Sequence, residues 1–536
     1  MLLTIRHASL HTGFIILLSM VFVFAASLAR AEATAFRQAV AEAASDDREL
    51  AQFYREANYT GIWTGSTPVE RARRQALFVA ISGAGAHGFP EERYDAARLL
   101  AELQEVRTAR DLGFAEVALS KTFLRLAADL QSGMLDKSRV LPANKRDTIE
   151  QDRRAHLEGL TKADPVAYLR GLAPQTTEYA RLMRQKARLE HLIAQGGWGP
   201  VVQAQSLKPG DTGASVLALR NRLIVMGYLE RSASASYDAR LKDAVTRFQD
   251  THGLETDGVA GAVTMAEINK GPEARLKSVL VALERERWFN RDRGERHILV
   301  NITDFSSRII KNDAQIFETR SIVGRALADR QTPEFSDVMN HMVINPTWHV
   351  PRSIVAREYL PRMQRNRNAA SYLRLYDSRG REVSRSSIDF SRYTARTFPY
   401  SVKQPPSPRN SLGLVKFMFP NQYNIYLHDT PQKNLFATDV PAHSSGCVRL
   451  ADPFEFAYTL LAEQADDPQG LFHGILNTGR ETRLDLEHPI PIHLIYRTAF
   501  VTASGEAHYR RDVYGRDAAI WNALERAGVQ LPGVQG

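Results

Sequence analysis

The stretch His443–Leu450, HSSGCVRL, holds the only cysteine among 536 residues. A thiol attacks carbon as thiolate, and an ordinary pKa of about 8.5 leaves little thiolate near neutrality without a base or a cation close by. His428, closing the run YNIYLH, and His443, four residues before the thiol, are the candidate bases, and Arg449 adds a fixed charge two residues beyond it. Gly446 permits a tight turn in which successive backbone N–H groups converge, the device that stabilises a developing oxyanion in acyl transfer. Ser444 and Ser445 can add hydroxyl donors. His428 is favoured as base, because Asp429-Thr430-Pro431 marks a strand exit at which side chains face a cleft, whereas His443 sits in a loop. The helix expected from Asp452 would favour thiolate if its positive end faced the sulfur. A zinc site on His428, His443 and Cys447 is disfavoured, since the spacing matches no usual zinc pattern. The bland alternative is a buried, inert cysteine.

The compartment decides how unusual one thiol is. Residues 1–31 read as a cleavable signal peptide: a weakly basic start, the apolar run Phe14–Ala26, then Ala29-Arg30-Ala31 as a small-x-small site. An anchor helix is the competing reading, but the run is short for a span of about 20 residues. Exported proteins usually pair their cysteines, so a single one suggests a reactive thiol or an intermolecular bridge. The net charge of +9 favours anionic surroundings, which outside the cytoplasm means envelope polymer or lipid headgroups; basic residues scattered among acids argue against nucleic acid.

Three kinds of element must position the thiol. Residues 32–200 show mostly helical periodicity, with an aromatic knot (Phe53, Tyr54, Tyr59, Trp63) read as core, and end in the breaker cluster GGWGP. Residues 207–270 form a compact unit of three amphipathic helices, one carrying Val216, Leu219, Leu223 and Met226, another Leu241, Ala244, Val245 and Phe248. From about residue 296 the period becomes two, with strands expected at 297–302, 308–310, 342–344, 414–419, 423–428 and 490–496. The polar stretch 352–410 interrupts them, and an insert of that length suggests a lid. The fold class is multidomain α+β: a signal peptide (1–31), a helical N-terminal domain (32–200), a three-helix domain (207–270) and a β-rich domain (271–536).

The segment IYLHDTPQKNLFATDVPAHSSGCVRLADP resembles the active site of the L,D-transpeptidases of YkuD type, and closely that of their large Gram-negative periplasmic members. ERERWFN (284–290), ILVNITDF (298–305), IVGRALADRQTPEFSD (322–337), INPTWHVPRSI (344–354) and RDVYGRD (511–517) agree with it. The unit at 207–270 resembles the peptidoglycan-binding domain of exported wall enzymes, and 32–200 the scaffold domain of the large members. The resemblance implies Cys447 as nucleophile, His428 as base, Gly446 and Ser445 as backbone donors of the oxyanion hole, Arg449 orienting loop and substrate, and Tyr426 lining the pocket. Ser445 stands where many members have His, and His443 where an aromatic is usual, so its role is open.

The implied reaction is a 3→3 cross-link between stem peptides. The thiolate displaces the terminal D-alanine of a donor tetrapeptide, and a side-chain amine of a second stem resolves the thioester. The resemblance further implies a periplasmic location, acylation of the same thiol by carbapenems, no cofactor and no metal. It leaves room for other cell-wall enzymes as partners and gives no role to nucleic acid. Three competing functions remain open: a cysteine L,D-carboxypeptidase, an enzyme attaching a lipoprotein to peptidoglycan, and a non-catalytic wall-binding scaffold.

Overall fold

The computed structural model describes residues 30–147 and 152–532, so all but the end of the leader predicted over 1–31 lies outside the described residues. Among these, no helix is long and apolar enough to cross a membrane.

Helices run from residue 30 to Ala194. Most open on an Asp or Thr whose side chain accepts the N–H three residues on: Asp47, Thr67, Thr108, Asp152, Asp164 and Thr176. Such caps satisfy donors that a helix start leaves orphaned. Phe53, Tyr54, Ile62 and Trp63 are buried and Tyr59 packs at their edge. The knot is tied by one buried carboxylate: Glu116 accepts from the backbone N–H groups of Ile62, Trp63 and Thr64 and from the Tyr54 hydroxyl. Helices Ala214–Val225, Ala239–Thr251 and Ala262–Ile268 enclose a separate core around Val216, Leu219, Leu223, Leu241, Val245 and Phe248.

The division drawn at residue 271 does not coincide with a division of the core. Helix Pro272–Trp288 packs Leu276, Val279, Leu280, Leu283 and Trp288 among the N-terminal helices, together with Ala499, Val501, Ile520, Trp521 and Leu524 from the end of the chain. The charged residues of its last turn are buried too, and each has a counter-ion: Glu284 with Arg287 (2.7 Å), Arg285 with Glu334 and Asp517 (3.0 Å each), Glu286 with Arg497 (2.6 Å) and Arg293 (2.9 Å). The ERERW motif is therefore an ionic keel between the helical half and the sheet.

Strands β1 (Arg296–Asn301), β2 (Ser306–Lys311), β3 (Ala314–Gly324) and β4 (Phe335–Ile344) begin that sheet. Strands β5 (Trp348–His349), β6 (Arg374–Tyr376), β7 (Glu382–Val383) and β8 (Ser401–Gln404) belong to the insert. The main sheet resumes with β9 (Val415–Met418), β10 (Leu427–His428), β11 (Ala442–Ser444), β12 (Val448–Leu450) and β13 (Thr482–Ile495). Its order is β11-β3-β12-β10-β9-β4-β13-β1-β2, and it closes on itself because β2 also pairs with β3. Helix Pro453–Leu461 adds Phe456, Ala457, Leu460 and Leu461 to the apolar core of this domain.

The strand expected over 423–428 shrinks to 427–428. Asn421 accepts from the N–H groups of Tyr423 and Ile425 and donates to the carbonyls of Phe419 and Ile425, so a side-chain-held turn replaces the ladder. The insert is a small domain, with sheet order β5-β8-β6-β7 and a core including Trp348, Tyr359, Leu360, Met363, Leu375 and Phe398. Asn410 closes its neck, donating to the Pro346 and Gln404 carbonyls at 3.1 Å each.

Candidate active site

A cleft of about 1470 Å³ separates the insert from the main sheet, and Cys447, His428, Tyr426, His443, Ser444, Ser445 and Arg449 all line it. Register explains the convergence. Leu427 pairs with Phe417 on β9 and with Val448 on β12, and these three side chains enter the core. Alternation along a strand then turns their neighbours to the other face. Lys416, His428 and Arg449 form one row there, across β9, β10 and β12. Cys447 and Tyr426 lie one step along, joined by the Val448 N–H donating to the Tyr426 carbonyl at 3.1 Å.

The thiol sits on a braced turn. Gly446 has φ +124°, a conformation that favours glycine. The buried Ser444 hydroxyl donates to the Cys447 carbonyl and accepts the Gly446 N–H at 3.0 Å. From the other side the fully buried Thr332 hydroxyl donates to the Gly446 carbonyl (2.7 Å) and accepts the Gly324 N–H (2.9 Å). Arg516 holds the Thr332 carbonyl at 2.9 Å and also pairs with Glu334, which Arg285 and Arg146 flank. The sequence reading missed Thr332; the TP of its loop is the signal that could have shown it.

Two expectations need correction. The Gly446 N–H is already engaged by Ser444 and is no free oxyanion donor. Among the described residues the N–H groups of Ser445 and Cys447 have no partner. Ser444 braces the turn, while Ser445 is exposed in the cleft. Nor can the helix after Asp452 act on the sulfur: at about 3.3 Å per residue, β12 puts its start roughly 15 Å away. Asp452 accepts instead from the Thr319 hydroxyl at 2.8 Å.

Both reacting groups rest neutral. Burial pushes the Cys447 thiol up to about 11, against hydrogen bonds from the Tyr426 N–H and hydroxyl and the charge of Arg449. The half-buried thiol donates to the Asn424 carbonyl at 3.5 Å. Burial lowers His428 to about 3, with Arg449 and Lys416 adding to the effect and carbonyls opposing it. Its Nδ1 faces the Asp429 carbonyl, which can only accept, so Nδ1 carries the proton and Nε2 the lone pair. Thiol and imidazole share a face without bonding each other; proton transfer requires the thiol to rotate from Asn424 towards the ring.

The other cleft residues frame this pair. The Tyr426 ring lies tilted against His428 with centroids 5.6 Å apart, packs against the cores of both sheet and insert, and bonds to Trp348. Arg449 donates to Gln432 Oε1 at 2.8 Å. His443 bonds through Nε2 to the Thr438 hydroxyl (3.0 Å), and its carbonyl accepts from Arg325. Among the described residues no group of three or more His, Cys, Asp or Glu side chains is arranged to hold a metal ion.

Comparison with known proteins follows the same lines. Two solved L,D-transpeptidase structures, from Xylanimonas cellulosilytica and Stackebrandtia nassauensis, are each 14% identical. They cover 55% of this chain and 100% and 97% of their own, with TM-scores of 0.17 and 0.21. A Haemophilus influenzae protein named "Putative L,D-transpeptidase" is 32% identical over 225 residues, 42% of this chain. The chain thus matches 45% of that relative's length. Residues 48–185 match a family described as "Scaffold domain" and 212–268 one described as "Putative peptidoglycan binding domain". Residues 295–468 match the YkuD family, described as "L,D-transpeptidase catalytic domain".

Proposed function

We propose that this chain is a peptidoglycan L,D-transpeptidase that forms 3→3 cross-links through a thioester on Cys447. The observation that carries the reading is the placing of one thiol and one imidazole on adjacent parallel strands, facing one cleft beside two unpartnered N–H groups. A donor stem enters, and the thiol turns to His428. Nε2 takes the S–H proton as sulfur bonds to the carbonyl carbon of the third stem residue. The oxyanion meets the Ser445 and Cys447 N–H groups. Collapse breaks the C–N bond, and the imidazolium returns the proton to the departing D-alanine amine. The acceptor amine then attacks the thioester carbon, losing its proton to the same ring; the C–S bond breaks and the imidazolium returns that proton to the Cys447 sulfur. Neutral resting groups suit this cycle, because an oxyanion offsets the cations that disfavour imidazolium at rest.

The insert acts as a lid: Glu358 pairs with Arg330 (3.3 Å) and Arg357 with Asp329, tying it to the loop that bears Thr332. Limiting water favours amine over hydrolysis. In this reading the chain works in the periplasm, with residues 212–268 holding it on the polymer. The test incubates purified chain with donor tetrapeptide and acceptor stem, followed by mass spectrometry of protein and products. An adduct lighter than the donor by one alanine, on Cys447, and dimers linked through two third residues are expected, both absent from Cys447→Ala. Adduct without dimers would make the enzyme a carboxypeptidase, and no adduct would end the proposal.

A further inference from the structure

Lys416 is a cation in the cleft without an assigned task. It stands on β9 directly opposite His428 and lines the cleft with it. It is half-buried, and among the described residues its ammonium has no hydrogen-bond or ion-pair partner; Glu481 is the one acid whose charge reaches it. Arg449, on the opposite flank of His428, is by contrast already held by Gln432. A half-buried lysine with no protein partner carries a desolvation cost that an anionic ligand would offset.

The order of the strands says which ligand. Lys416 and His428 face each other on β9 and β10, about 4.8 Å apart, and Cys447 stands on the turn that enters β12, the strand on the other side of β10. The proposed donor presents three groups in the same order: the carbonyl carbon under attack, the amine nitrogen that must be protonated, and the terminal carboxylate of the leaving residue. Bond geometry puts that carboxylate carbon about 2.5 Å from the nitrogen. With the carbonyl over Cys447 and the nitrogen at His428, the carboxylate is directed at Lys416.

We infer that Lys416 binds the free α-carboxylate of the departing amino acid and so restricts the first step to donors whose scissile residue is the last. An internal peptide bond or a capped C-terminus offers no anion at that point. The Lys416 ammonium then stays unpaired, and the leaving nitrogen is not held against the ring. Lys416 is therefore a specificity-determining residue, and the inference rests on the thioester chemistry proposed above.

The experiment compares two donors on the full chain, a tetrapeptide ending in free D-alanine and its C-terminal carboxamide. Cys447 acylation is followed by intact-protein mass spectrometry and by release of alanine or alaninamide. Wild type is expected to favour the acid at least tenfold in kcat/KM. Lys416→Met brings that ratio within about twofold of unity by slowing the acid alone, and Lys416→Arg keeps most of the preference. Alkylation of Cys447 by a neutral reagent, which no carboxylate influences, stays within twofold in both variants and verifies that the cleft is intact. Equal use of acid and amide by wild type, or an unchanged ratio in Lys416→Met, overturns the role of Lys416 while leaving the thioester proposal standing. Failure of both donors to acylate a thiol that still alkylates would bring down both.

Discussion

Replacing Thr332 by Val tests whether the nucleophile is held in place from behind. The two side chains have nearly the same shape, so the change removes one hydroxyl and little else. That hydroxyl bonds the Gly446 carbonyl at 2.7 Å and the Gly324 N–H at 2.9 Å, where water has no access. Each partner left unsatisfied costs about 1–3 kcal/mol, so the variant should lose about 2–6 kcal/mol of stability. The effect on chemistry is separate. Gly446 precedes the nucleophile, and slackening its peptide lets the thiol wander from the line between His428 and the substrate carbonyl. A misplacement approaching 1 Å costs up to about 100-fold, so a fall of about 10- to 100-fold in the acylation rate is expected, with KM little changed. Thermal unfolding reads the first quantity and single-turnover acylation by mass spectrometry the second. Thr332→Ser, which keeps the hydroxyl, should retain acylation within about threefold while losing about 1 kcal/mol for the missing methyl group. A Val variant as fast as wild type, or a Ser variant as slow as Val, would refute the bracing role.

Two further expectations concern charge. Because burial raises the thiol to about 11, alkylation of Cys447 by a neutral reagent should be slow at pH 7 and climb tenfold per pH unit from there to about pH 10; a plateau at neutrality would contradict a neutral resting pair. Glu334→Gln leaves Arg146, Arg285 and Arg516 facing one another in the interior. Breaking such a buried cluster costs about 3–5 kcal/mol, which should appear as a lower unfolding midpoint in chemical denaturation, and an unchanged midpoint would refute it.

The candidate residues were more legible in the sequence than the geometry that holds them. Thiol, base and arginine could be chosen because nucleophilic catalysis constrains residue types, and alternation around Leu427 turned them to one face. Gly446 was rightly read as a turn, but the partner of its N–H was not foreseeable, since Ser444 could have served either backbone or substrate. The strand expected at 423–428 failed because one amide, Asn421, outcompeted the apolar alternation. Thr332 and Lys416 were invisible for a related reason. Thr332 acts on a peptide more than a hundred residues away, and Lys416 gains meaning only from antiparallel pairing that brings it beside His428. The division at 271 looked natural because glycine and proline punctuate it, yet helix Pro272–Trp288 serves both sides.

That shared helix bears on how the enzyme can be dissected. A fragment cut to the matched stretch, 295–468, would lack Arg497 and all three arginines around Glu334 (Arg146, Arg285 and Arg516), the residue two positions from the Thr332 brace. The helical half and the barrel-like sheet are thus joined through helix Pro272–Trp288 and its ion pairs, whereas the three-helix module keeps its core apart from that helix. Swapping that module between relatives is feasible engineering; excising the catalytic core is not, and an inert truncation would report lost architecture rather than a missing chemical group.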